Sequence, residues 1–249
     1  MSRVAIVVAL EREVRPLIKE WRACEKASGG RRFRFFEKDE FVLVCGGIGA
    51  EAARRAAEAV IAIYAPALIY SAGFAGALDP ELKVGDIVQP RRVVNAGDGS
   101  SVELAGVNAD VSPGRGEGVL VSFGSVATPE QKVKLRDSFA ATAVDMEAAA
   151  VARAAEARGV RFAVVKVISD EFGFSLPSME RFVDRNGQFI ELRFAGYAAV
   201  RPWLWLQIAR LARNSRRASR ALCGWLRSMN AESVLARSEA SSLQAADRL

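Results

Sequence analysis

The 249-residue chain has no histidine. That absence excludes Ser-His-Asp triads, histidine general bases and the histidine-ligated metal sites of most zinc enzymes. Acid–base chemistry is left to Asp, Glu, Lys, Tyr or Cys. Cysteine is scarce: Cys24, Cys45 and Cys223, none in a CxxC pair. Three thiols cannot all pair internally, so a reducing, cytoplasmic setting is expected rather than a disulfide framework. The first apolar run, Val4 to Leu10, is cut by Glu11. It is too short to span a bilayer, and it lacks the small-residue cleavage pattern of a signal peptide. Acidic residues are missing from one long stretch. Between Leu192 and Ala231 there are eight arginines and no Asp or Glu. Taking those eight from the net charge of +6 leaves −2 for the rest. The basic balance therefore belongs to one C-terminal segment.

That segment has a helical period. Leu204, Ile208, Leu211, Ala218, Leu222 and Trp225 fall on one face, and Arg210, Arg213, Arg216, Arg217 and Arg220 on the other. Pro202 suits a first helical position. Arginines opposite an apolar face with tryptophans fit a helix on an anionic membrane. They fit, as the plainer reading, a surface helix packed on the core with a solvated basic face. Nucleic acid is not expected, because the body carries no basic excess.

The chain as a whole is 51% hydrophobic and 26% charged, enough to bury a large core. Apolar runs at Val4–Leu10, Leu68–Ser71, Val119–Phe123 and Phe162–Ile168 read as buried strands. Residues 13–21, 50–64, 129–139 and 145–158 read as helices, and Phe33–Phe36 with Phe41–Val44 as a hairpin. Residues 45–49 and 72–76 read as small-residue loops, and 96–118 as a long loop. Alternating strands and helices imply a single α/β domain with a mixed, mostly parallel sheet flanked by helices. The expected organisation is a catalytic domain over 1–190, a basic amphipathic helical extension over 191–230 and a frayed tail over 231–249.

In such a sheet ligands bind at the carboxyl ends of the strands. The residues just after the strands are Glu11–Glu13, Gly46–Gly49, Gly73–Gly76 and Ser169-Asp170. Glu11 and Glu13 follow the first strand; a carboxylate there activates water or simply favours a helix start. Gly46-Gly47-Ile48-Gly49 and Gly73-Phe74-Ala75-Gly76 allow close backbone approach, and neither is a P-loop or GxGxxG. Val144-Asp145-Met146-Glu147 begins an Ala-rich helix, with Asp145 as its N-cap or Glu147 as a hydrogen-bond acceptor for a diol. Ser169-Asp170 ends the last strand, where a carboxyl held partly protonated is a general acid or another cap.

Together these motifs resemble the superfamily of purine nucleoside phosphorylases and methylthioadenosine/S-adenosylhomocysteine nucleosidases. The resemblance covers roughly residues 3–172. It rests on Ala9-Leu10-Glu11-Arg12-Glu13-Val14, Gly46-Gly47-Ile48-Gly49, Ser71-Ala72-Gly73-Phe74-Ala75-Gly76, Leu82-Lys83-Val84-Gly85-Asp86-Ile87-Val88, Val144-Asp145-Met146-Glu147 and Val167-Ile168-Ser169-Asp170. It implies that Glu13 positions the attacking water and that Asp170 protonates N7 of the purine. It also implies that Met146 and Glu147 lie beside the ribose, with Ile48, Phe74 and Ser169 completing the substrate site. Breaking a C–N glycosidic bond calls for an acid at the base, a nucleophile on the other face and anionic groups near the sugar. No cofactor or metal is needed. Phe74 stands where relatives usually carry a serine that contacts phosphate, which weighs against phosphorolysis. Val126-Ala127-Thr128 stands where an aromatic residue usually packs on the base, and Lys166 where arginine is frequent.

A narrower resemblance lies in the tail. Val183-Asp184-Arg185-Asn186-Gly187, Pro202 and the helix through Leu222 look like the hopanoid-associated phosphorylases. The reaction this implies is release of adenine from adenosylhopane in hopanoid biosynthesis. The other readings are a soluble methylthioadenosine/S-adenosylhomocysteine nucleosidase, a phosphate-dependent phosphorylase, and a nucleoside-binding module without turnover. A homo-oligomer is expected by analogy, and a peripheral membrane location through residues 202–227 if the substrate is lipid-borne.

Overall fold

The computed structural model describes residues 2–104, 118–174 and 200–236, together with 182, 184, 187, 189, 190, 193, 194, 196 and 197. One 11-stranded mixed sheet forms the centre. Its strands are β1 (Val4–Val8), β2 (Arg22–Ser28), β3 (Arg31–Lys38), β4 (Phe41–Cys45), β5 (Leu68–Ala77), β6 (Ile87–Val88), β7 (Arg92–Asn95), β8 (Ser101–Glu103), β9 (Val119–Ser122), β10 (Ala141–Asp145) and β11 (Arg161–Asp170). The helices are α1 (Glu11–Ile18), α2 (Ala50–Tyr64), α3 (Pro129–Phe139), α4 (Ala148–Glu156) and α5 (Trp205–Ser228). The order runs β2-β3-β4-β1-β5-β10-β9-β7-β8, with β11 on the other edge of β5 and paired to β6. β1 is parallel to β4 and β5, β11 is parallel to β5, and β10 meets the end of β5 antiparallel.

Strand alternation divides the core. Val4, Ile6 and Val8 of β1 face α1 and α5, whereas Ala5 and Val7 face α2 and α4. Both faces are covered, so β1 is apolar throughout. The alanine-rich helices sit close to the sheet. A Cβ on Gly46 would stand 2.7 Å from the Ala56 Cβ, so only glycine lets β4 pass under α2.

Several sequence expectations are corrected. Residues 72–76 are not a loop: they extend β5 to Ala77, because small side chains let β11 pair along them as far as Gly76. β2 is an unexpected edge strand. Its sequence, Arg-Ala-Cys-Glu-Lys-Ala-Ser, carries charge rather than β-branched residues, as exposed edges do. Residues 141–145 form a strand, and the helix expected from Asp145 begins at Ala148. β8 lies within the expected long loop; residues 105–117 lie outside the described residues.

For the C-terminal half of α5 the structure takes the packed reading of the two. The helix's apolar face is not free along its length. Ala218, Leu222, Cys223 and Leu226 are buried in one core cluster with β1, β5, β11 and α1. Trp225 stacks edge-on against Tyr70 at 5.9 Å between centroids. The C-terminal half of the helix is a packed element, because burying those side chains removes more apolar area from water than lying on a surface would. Residues 231–236, expected to be frayed, are helical, with Ala231 and Val234 buried in the same cluster. Residues 237–249 lie outside the described residues.

Candidate active site

A cavity of about 480 Å³ opens where the ends of β1, β4, β5, β10 and β11 converge. Glu13, Ile48, Phe74, Met146, Glu147, Ser169 and Asp170, the residues singled out in the sequence, all line it. Each is delivered by a different local device. Glu13 stands in the first turn of α1, directly after β1, and its backbone N–H donates to the Leu10 carbonyl at 3.0 Å. Ile48 lies in the glycine turn between β4 and α2, held by a 2.7 Å bond from its N–H to the Gly187 carbonyl. Gly187 itself has φ of +76°, and a Cβ there would stand 2.6 Å from the Ile48 carbonyl oxygen. Phe74 is carried by β5, Met146 and Glu147 by the turn from β10 to α4, and Ser169 and Asp170 by the end of β11.

On one side of the cavity lies a buried group of three carboxyls around one ammonium. The Lys166 Nζ donates to Asp145 Oδ2 at 2.8 Å, with both side chains almost fully buried. Asp145 also accepts from Ser122 Oγ at 2.6 Å and from the Ala148 N–H at 2.8 Å. It thus bonds the first N–H of α4 and anchors the lysine together, although the N-cap position expected for Asp145 is held by Glu147. Glu147 accepts from the Gly49 N–H at 2.8 Å and the Met146 N–H at 3.3 Å. Burial pushes the Glu147 carboxyl up, against the pull of Lys166. Burial also opposes the charge on Lys166, yet Asp145 and Glu147 outweigh it and hold the ammonium above its ordinary value.

Glu13 is the outlier of this group. Among the described residues its Oε2 is buried with no hydrogen-bond partner. Burial, then the charge of Glu147, push its carboxyl up to about 8, with Lys166 and Arg12 opposing. One ammonium cannot balance three carboxylates, and Glu13 keeps one buried oxygen with no bond among the described residues to offset desolvation. Gly73 faces it: a Cβ there would stand 2.9 Å from Glu13 Oε2, at φ of +146°.

Asp170 occupies the other side. Its Oδ2 lies 2.5 Å from the Nζ of Lys132, and both side chains are nearly inaccessible. Lys132 also donates to the Glu171 carbonyl at 2.9 Å, and Ser169 Oγ donates to Asp170 Oδ1 at 2.9 Å. Asp170 is half of a buried ion pair, with an ammonium against the carboxyl that the sequence places at the rim of the strand. A Cβ at Gly76 would stand 2.8 Å from Asp170 Oδ2. Glu13 and Asp170 thus approach β5 at positions three residues apart, about 10 Å along the strand.

Lys132 was not singled out in the sequence. The signal was its period: Lys132 and Leu135 are the buried residues of α3, a lysine where the apolar stripe calls for an aliphatic. Thr128, in the loop where an aromatic was missed, caps that helix by a capping box with Gln131. The aromatic rings at the cavity are instead Phe74, Phe189 and Phe194, the last two 5.6 Å apart. The wall is completed by Ile208, Leu211, Ala212 and Ser215, on the N-terminal half of α5.

This fold and this cavity define a class. Residues 3–122 and 116–191 match the sequence pattern of the phosphorylase superfamily. The chain belongs to that superfamily. It is 24% identical over 200 residues to the aminodeoxyfutalosine nucleosidase of Campylobacter jejuni, covering 70% of this chain and 87% of the relative. It is 28% identical over 207 residues to the 5′-methylthioadenosine/S-adenosylhomocysteine nucleosidase of Tolumonas auensis, covering 71% and 89%. The fold is similar to that of a mutant Helicobacter pylori nucleosidase solved with 5′-methylthioadenosine in its active site. There the TM-score is 0.66 at 20% identity, over 92% of this chain and 100% of the other. The Neisseria meningitidis nucleosidase in complex with methylthio-immucillin-A gives 0.65 at 20% identity, over 97% and 100%.

Proposed function

We propose that the protein hydrolyses the N-glycosidic bond of a 5′-modified adenosine and releases adenine. The observation that carries this reading is the pair of acidic centres across one cavity, Glu13 with Glu147 on one side and Asp170 with Lys132 on the other. In the reaction, the C1′–N9 bond breaks as its electron pair moves onto the purine. Asp170, backed by Lys132, delivers the proton that N7 takes up. Water forms the new bond to C1′ and gives its proton to ionised Glu13. Glu147 accepts hydrogen bonds from the ribose hydroxyls through the lone pairs its backbone donors leave, and Met146 packs on the sugar. Anionic Glu13 and Glu147 also lie where positive charge develops on the sugar.

The remaining wall is apolar: Phe189, Phe194, Ile208, Leu211 and Ala212. In our reading it receives the 5′ substituent, which favours an apolar group there. The relatives named for methylthioadenosine support the small-substituent form. Adenosylhopane, the substrate implied by the hopanoid-associated resemblance, is the larger apolar form, and α5 is the wall that would accommodate it. Phosphorolysis is the second reading. Phe74, in place of the phosphate-contacting serine, argues against it.

The deciding assay follows release of the free base, adenine from methylthioadenosine, S-adenosylhomocysteine and an adenosyl-lipid and hypoxanthine from inosine, each with and without phosphate. Release from the adenosine substrates, unaffected by phosphate, is the expected result. Strict dependence on phosphate, or no release from any of the four, overturns the hydrolytic reading.

A further inference from the structure

Among the described residues only five large apolar side chains are exposed, and four lie within seven positions: Val200 at 69%, Trp203 at 71%, Trp205 at 56% and Leu206 at 86%. They form the tip that leads into α5. Behind the tip, Leu206, Arg210, Arg213, Arg217 and Arg220 recur at spacings of four, three, four and three, which is one stripe of a helix. Arg216 lies beside it, and these six are all exposed. No acidic residue interrupts the sequence from 192 to 231. The opposite face of the same turns, Ile208, Leu211, Ala212 and Ser215, lines the cavity. At 1.5 Å per residue, the exposed Leu206 is only about 3 Å along the helix from the cavity wall at Ile208.

We propose that this tip and the arginine stripe dock the protein on anionic lipid bilayers, with the cavity mouth at the lipid surface. Tryptophan with aliphatic side chains favours the headgroup boundary, and arginine pairs with lipid phosphates. The surface is narrower than the whole of residues 202–227, since the second half of the helix is committed to the core. Charge decides the occupant. A second copy in a two-fold contact would set this stripe against itself, arginine facing arginine, whereas anionic headgroups complement it. Docking stands on the surface alone. The step from docking to a lipid-borne substrate rests on the proposed function: α5 then offers one face to the bilayer and the other to the substrate's apolar tail.

The test is co-sedimentation of the full chain with vesicles of phosphatidylcholine containing about one third phosphatidylglycerol, compared with pure phosphatidylcholine. The wild type is expected to sediment with the anionic vesicles, and less as salt rises, since the Debye length falls from about 10 Å at 0.1 M to about 3 Å at 1 M. Arg213→Gln with Arg216→Gln is expected to weaken partitioning about fivefold per arginine removed. Trp203→Ser with Leu206→Ser is expected to weaken it about tenfold. None of these four residues lines the cavity, so all variants should release adenine from soluble methylthioadenosine at the wild-type rate. Equal sedimentation of wild type and both variants overturns docking. So does absence of wild-type binding combined with a dimer that the Trp203/Leu206 variant disrupts, which would make the tip a contact between copies. Vesicle binding without adenine release would remove the proposed function and leave the docking surface standing.

Discussion

Glu13 and Asp170 illustrate how one fold prepares two carboxyls for opposite tasks. Glu13 is held by burial with no bond to its Oε2 among the described residues, so its charge is costly until something shares it. To take a proton from water it must be ionised. Activity governed by Glu13 therefore rises with pH through about 8 in the free enzyme, read as kcat/KM. The same shift acts on stability. The folded carboxyl titrates near 8 and the unfolded one near 4.5, so the folded state loses stability as pH rises across that window. Glu13→Gln should raise Tm above pH 5, with a gain in unfolding free energy of up to a few kcal/mol at pH 8 and none below pH 4. A Tm difference independent of pH would show that Glu13 is not neutral in the folded protein. Asp170 is the reverse case, a carboxyl placed against an ammonium. Asp170→Asn should lower kcat about 100- to 10,000-fold, the usual cost of losing a positioned acid. Lys132→Gln should lower kcat less than Asp170→Asn, since Lys132 acts through its ion pair with Asp170. Wild-type kcat in Lys132→Gln would reduce Lys132 to packing.

At the level of elements, strands β1 and β11 and helices α2 and α3 were legible in the sequence. Each carries its signal locally: an unbroken apolar run buried on both faces, an alanine-rich stretch ended by Pro66, a Thr-Pro start. β2 and the extension of β5 were not legible, because they are set by partners. β2 is a strand because β3 pairs with it over seven residues. Gly73 to Gly76 read as a loop in isolation and become a strand because β11 lies alongside. The candidate site was legible through the family resemblance, and the residues it implies, Glu13, Ile48, Phe74, Met146, Glu147, Ser169 and Asp170, all line one cavity. The Lys132–Asp170 pair was not, because 38 residues separate the partners and no local pattern joins them. The cavity wall from α5 gives the prediction at this scale. Leu211→Asn should raise KM about tenfold for 5′-thioalkyl adenosines with long apolar chains, leaving kcat for adenosine unchanged. Equal changes for all substrates would mean that α5 does not meet the 5′ substituent.

On the scale of the whole molecule, α5 ties the end of the chain to its beginning. Cys223 lies against the Glu13 carbonyl, and Arg227 donates to the Pro16 carbonyl at 2.6 Å, so the helix that lines the cavity also buttresses α1. The residues that bind it, Ala218, Leu222, Cys223, Trp225 and Leu226, share a core cluster with β1, β5 and β11. Burial of a Leu, Trp or similar side chain is worth about 1.5–3 kcal/mol each, against a total stability of about 5–15 kcal/mol for a domain. Several such side chains amount to most of that margin. A chain cut at residue 201 is therefore expected to be insoluble or to lack a cooperative melt. Trp225→Ala in the full chain should cost about 3–5 kcal/mol while preserving a single transition. The measurement is chemical denaturation of the variant, with calorimetry of the truncated chain. A truncated chain that melts cooperatively near the wild-type temperature would show that residues 1–201 fold without α5. In that case the apolar wall of the cavity would be an appendage rather than part of the core.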